Sequence, residues 1–125
     1  MKEDIYTENA PKAVGPYSQA IKIDNTLFCS GQVPINPKTN EVEKGSISEQ
    51  THLVMKNVGA VLTAAGYSYA DIVKSTIFIS DMSHFQEMNS VYESYLQQPY
   101  PARSCVAVKE LPKSVDVEIE VLCRK

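Results

Sequence analysis

The sequence predicts an α+β fold in which two helices cover one face of a mixed sheet of five to six strands. Three observations support this prediction. Short alternating apolar segments lie toward both ends of the chain, two segments with helical periodicity lie between them, and a further strand-like segment separates the two helices. This order is typical of α+β domains. The sheet face without helices must be polar, closed on itself or buried by another subunit.

The first two predicted strands form a hairpin. They run from Ile21 to Ile23 and from Thr26 to Val33, and a turn at Asp24-Asn25 joins them because both residues tolerate turn geometry. The following segment, Asn36 to Glu41, is dense in Asn, Pro and Thr and predicts a loop.

The first helix has clear signals at both ends. Ser46 followed by Glu49 is a capping box, in which each residue satisfies a free backbone donor at the start of a helix. Gly66 predicts the helix end, where a left-handed residue is needed. The buried face is predicted to consist of Val54, Met55, Val58, Val61, Leu62 and Ala65.

A strand and a second helix follow. The stretch from Ile72 to Ile79 alternates as a strand does, and Ser83 with Gln86 predicts a second capping box. The second helix should end before Pro99, because proline disfavours a helical residue ahead of it. One face of the strand is predicted to carry Val73, Ser75, Ile77 and Ile79. The apolar stripe of the helix is predicted to consist of Phe85, Met88, Tyr92, Tyr95 and Leu96.

Composition narrows the function classes. A chain of 125 residues with no linker predicts a single domain over residues 1–125. The net charge of −3 and the scattered basic residues disfavour nucleic-acid binding, and no run approaches the roughly 18 apolar residues of a membrane span. Three cysteines without CxxC spacing predict neither a zinc site nor a disulfide framework, so we expect no metal and a reducing, cytoplasmic location.

Arginine, cysteine and two glutamates share a period of two near the end of the chain. We predict a hairpin between Ser104–Val108 and Val115–Val121, whose centred register opposes Cys105 to Glu118 and Arg103 to Glu120. A slip of one residue would pair valines with glutamates, whereas a slip of two keeps the faces and stays open. One face of this hairpin would then carry all four polar side chains.

Two interpretations of this face stay open. It is either a solvated strand face with cross-strand ion pairs, or a site in which Arg103 binds a carboxylate while Glu118 handles a proton or water. Cys105 is interpreted as a small wall residue rather than a nucleophile, because no histidine lies near it in the sequence.

Four segments together resemble the Rid (reactive intermediate deaminase, YjgF-like) family. They are NAPKAVGPYSQAI, CSGQVP, DMSHFQEMNSVYESY and PARSCVAVKELPKSVDVEIEV, and they extend over nearly the whole chain. The resemblance implies a chorismate-mutase-like subunit in a homotrimer with a central barrel and active sites in the clefts between subunits. It also implies hydrolysis, without a cofactor, of enamines and imines such as 2-aminoacrylate to 2-keto acids and ammonia.

The resemblance also assigns roles to individual residues. Arg103 matches the arginine that holds the substrate carboxylate, and Glu118 matches the glutamate that positions the attacking water, whereas Glu120 is expected to be structural. Two alternatives on the same fold are a regulatory protein that binds a small molecule without turnover, and RNA cleavage, an activity attributed to relatives described as translation inhibitors. The further residues expected to line the cleft are Tyr17, Ser30, Gly31, Asn89 and Cys105.

Overall fold

The computed structural model describes residues 1–125 and contains a six-stranded mixed sheet and two α-helices, as predicted. The sheet order is β1-β2-β3-β6-β4-β5, and every neighbouring pair is antiparallel except β4 and β5. No helix has both the length and the apolar character needed to cross a membrane. In chain order the elements are β1 (Lys2–Ile5), β2 (Ala20–Ile23), β3 (Thr26–Cys29), α1 (Ile47–Ala64), β4 (Ile72–Ile79), α2 (Phe85–Ser94), β5 (Ala102–Ala107) and β6 (Val117–Arg124).

The signals at the ends of α1 are confirmed. The Ser46 side chain accepts a hydrogen bond from the Glu49 backbone N–H, and the Glu49 carboxylate accepts one from the Ser46 backbone. Gly66 follows the helix with a φ of +83°, a conformation that glycine adopts without steric cost. The helix packs against β6 and α2, so its apolar face closes the core above the middle of the sheet.

The predicted hairpin between the last two strands is wrong, because β4 lies between β5 and β6. The antiparallel β4–β6 pairing sets Ile77 opposite Ile119 and Ile79 opposite Val117, and all four side chains are fully buried. This pairing places large apolar side chains at the centre of the core. β5 joins the outer edge of β4 in parallel, although β5 and β6 are neighbours in sequence.

This strand order changes which residues share a face. In the parallel register Arg103 lies beside Ser75 and Cys105 beside Ile77, so both residues lie on the helix-covered face. Glu118 and Glu120 lie beside Phe78 and Thr76 on the opposite face. The prediction that one face carries Arg103, Cys105 and both glutamates is therefore wrong.

Three local predictions also need correction. The second helix is not opened by a Ser83–Gln86 capping box, because the carboxylate of Asp81 accepts the Ser83 backbone N–H and starts a 3-10 turn that leads into α2. Val73 is exposed and does not share the buried face of Ser75, Ile77 and Ile79, since the β4–β6 register shifts at this residue. β3 ends at Cys29, and the chain beyond it returns to the sheet only at Gln32, which pairs with Ile119.

Candidate functional site

Arg103 lies on the edge strand β5, under helix α2. Its guanidinium donates a hydrogen bond to the side-chain oxygen of Asn89. Its Cζ atom lies 5.4 Å from the centre of the Phe85 ring and 5.5 Å from that of Tyr92, within the range of cation–π attraction. Asn89 was expected in the same site as Arg103, and the structure brings the two together.

No carboxylate neutralises Arg103. The single ion pair of the chain joins His84 to Asp116 at 4.0 Å, and Arg103 has no acidic group within that distance. The guanidinium instead borders an open cavity of about 410 Å³. Most of its five N–H donors are therefore free for an anionic ligand. The cavity is lined by Asn89, Tyr92, Glu93, Tyr100, Pro101 and Arg103.

Cys105 lies two residues beyond Arg103, on the same face of β5. Its side chain is half-buried, and burial raises the pKa of the thiol, an effect that the nearby Arg103 charge only partly offsets. A thiol with a raised pKa is mostly protonated at neutral pH, and the thiol form is a weak nucleophile. This environment suits a wall residue, as the sequence indicated.

Glu118 forms a second cluster together with Tyr17, Ser30 and Gly31. These four residues line a larger cavity of about 590 Å³, which contains none of the residues around Arg103. Tyr17 is 54% exposed at its rim. The Ser30 hydroxyl donates to the Ser18 carbonyl at 2.6 Å, so this side chain is occupied in shaping the loop.

Gly31 allows the Glu118 carboxylate to approach the backbone closely. A Cβ atom at this position would lie 2.9 Å from Glu118 Cδ and would overlap the carboxylate itself. The need for glycine here is therefore steric, which gives a reason for the glycine in the CSGQVP segment.

No cation lies within 4.0 Å of the Glu118 carboxylate, although Lys12 and Lys113 line the same cavity. Burial raises the pKa of this carboxylate, and the negative charge of Glu120, two residues along the same strand face, raises it further. A half-buried carboxylate with a raised pKa is a stronger proton acceptor than an exposed one, which suits a general base.

The seven expected site residues thus fall into two groups within one chain. Asn89, Arg103 and Cys105 lie on the helix face at the sheet edge, whereas Tyr17, Ser30, Gly31 and Glu118 surround the other cavity. Sequence reasoning missed the contacts of Phe85 and Tyr92 with Arg103, because it assigned both rings to the core alone. The two cavities offer an unpaired cation and an unpaired carboxylate, which together match a small acid with an electrophilic centre.

Comparison with known proteins gives consistent matches along the chain. The family model described as Endoribonuclease L-PSP matches residues 7–125. A RutC family protein of Pyrococcus horikoshii is 54% identical over 125 residues, covering 100% of this chain and 99% of that protein. The 2-iminobutanoate/2-iminopropanoate deaminase of Escherichia coli is 44% identical, covering 98% and 97%. A crystal structure of a Rid family protein of unknown function from Yersinia pestis superimposes with a TM-score of 0.97 at 46% identity, covering 100% of both chains.

Proposed function

Because the chain belongs to the Rid (YjgF/RutC) family, we propose that it hydrolyses 2-imino and 2-enamino acids to 2-keto acids and ammonia, in a site that two copies of the chain complete. The family relationship alone does not select this activity, since the relatives include RutC family proteins as well as imine deaminases. The residues of this chain supply the further support.

One observation carries the proposal: Arg103 and Glu118 are both unpaired, and they border separate cavities on opposite faces of the sheet. A surface ion pair would have used each charge to neutralise the other. An unpaired guanidinium matches a substrate carboxylate in bidentate fashion. A substrate held in this way needs a proton acceptor beside its imine carbon, and Glu118 is the suitable group.

In the proposed reaction Arg103 binds the carboxylate of the imino acid. Glu118 accepts a proton from water as the water oxygen bonds to the imine carbon, and the C=N π electrons move to nitrogen, which takes up a proton. In the resulting carbinolamine the amino nitrogen takes up a second proton and the hydroxyl loses one, so the C–N bond breaks, ammonia leaves and the C=O group of the keto acid forms. An imine is already electrophilic, so the protein contributes mainly orientation.

The uncovered face of the sheet supports assembly into a homotrimer, as the family resemblance implies. This face carries Phe28, Phe78, Val106 and Leu122, of which Phe28 and Val106 are 46% and 44% exposed. Covering these side chains with other copies would remove apolar surface from water. Arg103 and Glu118 border separate cavities in a single chain, so a shared site must take them from different copies. The same assembly could place Arg103 of one copy beside Glu118 of the next.

The experiment generates 2-aminoacrylate in situ with a dehydratase and follows pyruvate release with and without the protein. We expect faster release with the wild type and almost none of this gain with Arg103→Ala. The same preparation is incubated with RNA at equal protein concentration, because the matching family model is described as Endoribonuclease L-PSP. The net charge of −3 leads us to expect no cleavage. Binding of pyruvate without faster release would instead support a regulatory binding protein and overturn the proposed activity.

A further inference from the structure

We propose that Phe85 and Tyr92 are positioning residues for Arg103, forming with Asn89 a neutral cradle that orients the guanidinium without cancelling its charge. The inference rests on the proposed function in that it takes Arg103 to be the carboxylate-binding group. It concerns residues on α2 that resemble ordinary core side chains in the sequence.

The spacing on α2 directs three side chains toward one point. Phe85, Asn89 and Tyr92 lie at positions i, i+4 and i+7, which share one face of a helix. All three contact Arg103: the Asn89 oxygen accepts from its guanidinium, and the two ring centres lie 5.4 and 5.5 Å from its Cζ atom. An arginine on an exposed edge strand is thereby held from the helix above it.

Tyr92 is itself fixed from below. Its hydroxyl donates to the Ser75 hydroxyl at 2.9 Å, and Ser75 is fully buried in β4, directly beside Arg103 in the sheet register. Strand β4 therefore sets the position of the Tyr92 ring, and the ring in turn limits the orientations of the Arg103 guanidinium. Phe85 has no such anchor and is only partly buried, so it can be replaced at little cost to the core.

The neutrality of the cradle explains how it serves an anion site. A carboxylate in place of Asn89 would hold Arg103 as firmly, but it would occupy the fork that a ligand needs. Aromatic faces attract the cation through their quadrupoles, and they leave the N–H groups in the plane of the guanidinium free to bind a ligand. The cradle thus provides orientation and leaves the charge for the substrate.

The test compares three variants of the full chain. Phe85→Leu removes a ring from the cradle and Phe85→Tyr keeps one. The control Tyr95→Leu removes a ring directly after α2 that contacts Tyr69 and His52 instead. We expect Phe85→Leu to raise KM for 2-iminopropanoate about fivefold, which converts to about 1 kcal/mol, with a smaller change in kcat. Phe85→Tyr and Tyr95→Leu should leave KM within about twofold of the wild-type value, a change well below the tenfold that corresponds to about 1.4 kcal/mol.

A second readout is independent of turnover. The NMR resonance of the Arg103 Nε–H group should move, and its order parameter should fall, in Phe85→Leu but not in Tyr95→Leu. An unchanged Arg103 resonance, or equal KM changes in Phe85→Leu and Tyr95→Leu, would overturn the cradle. Failure of the wild type to hydrolyse any imine would instead overturn the proposed function, and the NMR comparison would still decide whether the rings position Arg103.

Discussion

Two inactive variants should restore activity to each other when they assemble together. Arg103→Ala removes the carboxylate-binding group and Glu118→Gln removes the proton acceptor, so each variant alone should lose at least about a hundredfold in rate, the order of loss that misplacement of a substrate produces. Because Arg103 and Glu118 lie on opposite faces of one chain, the proposed site takes them from different copies. A mixed assembly can therefore contain sites in which both residues are intact.

The expected yield follows from counting sites in a ring. In an equal mixture, half of the copies carry an intact Arg103 and half carry an intact Glu118. If copies associate at random in a cyclic assembly, about one quarter of the sites combine both intact residues. The mixture should therefore recover about a quarter of wild-type activity per chain. Light scattering should give about three times the chain mass of 13.9 kDa for each variant and for the mixture.

The assay mixes the two variants under conditions that dissociate the subunits, reassembles them, and follows pyruvate release from 2-aminoacrylate. The matched control mixes Arg103→Ala with the double variant Arg103→Ala/Glu118→Gln, which contains no intact arginine and should remain inactive. Activity no higher than the sum of the separate variants, in a mixture shown to contain mixed oligomers, would refute the shared site. The cleft would then have to form within one chain.

Four further predictions concern single substitutions at the site. Arg103→Lys keeps the charge but loses the planar fork, so activity on imino acids should fall at least about tenfold in a folded protein; near-wild-type pyruvate release would contradict bidentate binding of the substrate carboxylate by Arg103. Glu120→Gln removes a charge that raises the pKa of Glu118; since Glu118 must be deprotonated to act, the acid limb of the pH–rate profile should move to lower pH, and an unmoved limb would contradict this assignment. Gly31→Ala should displace the Glu118 carboxylate, which an added Cβ overlaps, and should lower kcat with little change in melting temperature; unchanged kcat would show that this contact is dispensable. Cys105→Ser should retain most of the activity, because a thiol whose pKa is raised by burial serves as a wall; a loss as large as that of Arg103→Ala would require a covalent mechanism.

The parts of the fold that were predictable depend on short-range signals. The capping box at Ser46 and the left-handed Gly66 are local, and both lie where the sequence placed them. The alternation of β6 was also informative, since Val117 and Ile119 are buried while Glu118 lies on the other face. Which strands pair with each other cannot be predicted in this way, because strand pairing depends on contacts between residues far apart in the sequence.

The pairing of β5 shows why long-range contacts were missed. Valines face valines in the predicted β5–β6 hairpin, and the six-residue segment between the strands is a reasonable hairpin loop. No local rule reveals that β4, about 40 residues before β6, supplies Ile77 and Ile79 to β6 instead. The predicted site residues depended on the family resemblance, and their division between two cavities emerged only from the strand order.

This division has a physical consequence for the chemistry. If Arg103 and Glu118 lay on one face of a single chain, as the predicted hairpin placed them, the two groups could pair within that chain before any copies assembled. Placed on opposite faces, both groups stay unpaired in the isolated chain, and burial keeps the pKa of Glu118 raised. In a shared site the arginine of a neighbouring copy would favour the charged carboxylate and lower that pKa, and a substrate carboxylate that binds the arginine would raise it again. Binding of the substrate would then make Glu118 a stronger base toward the water that attacks the imine carbon.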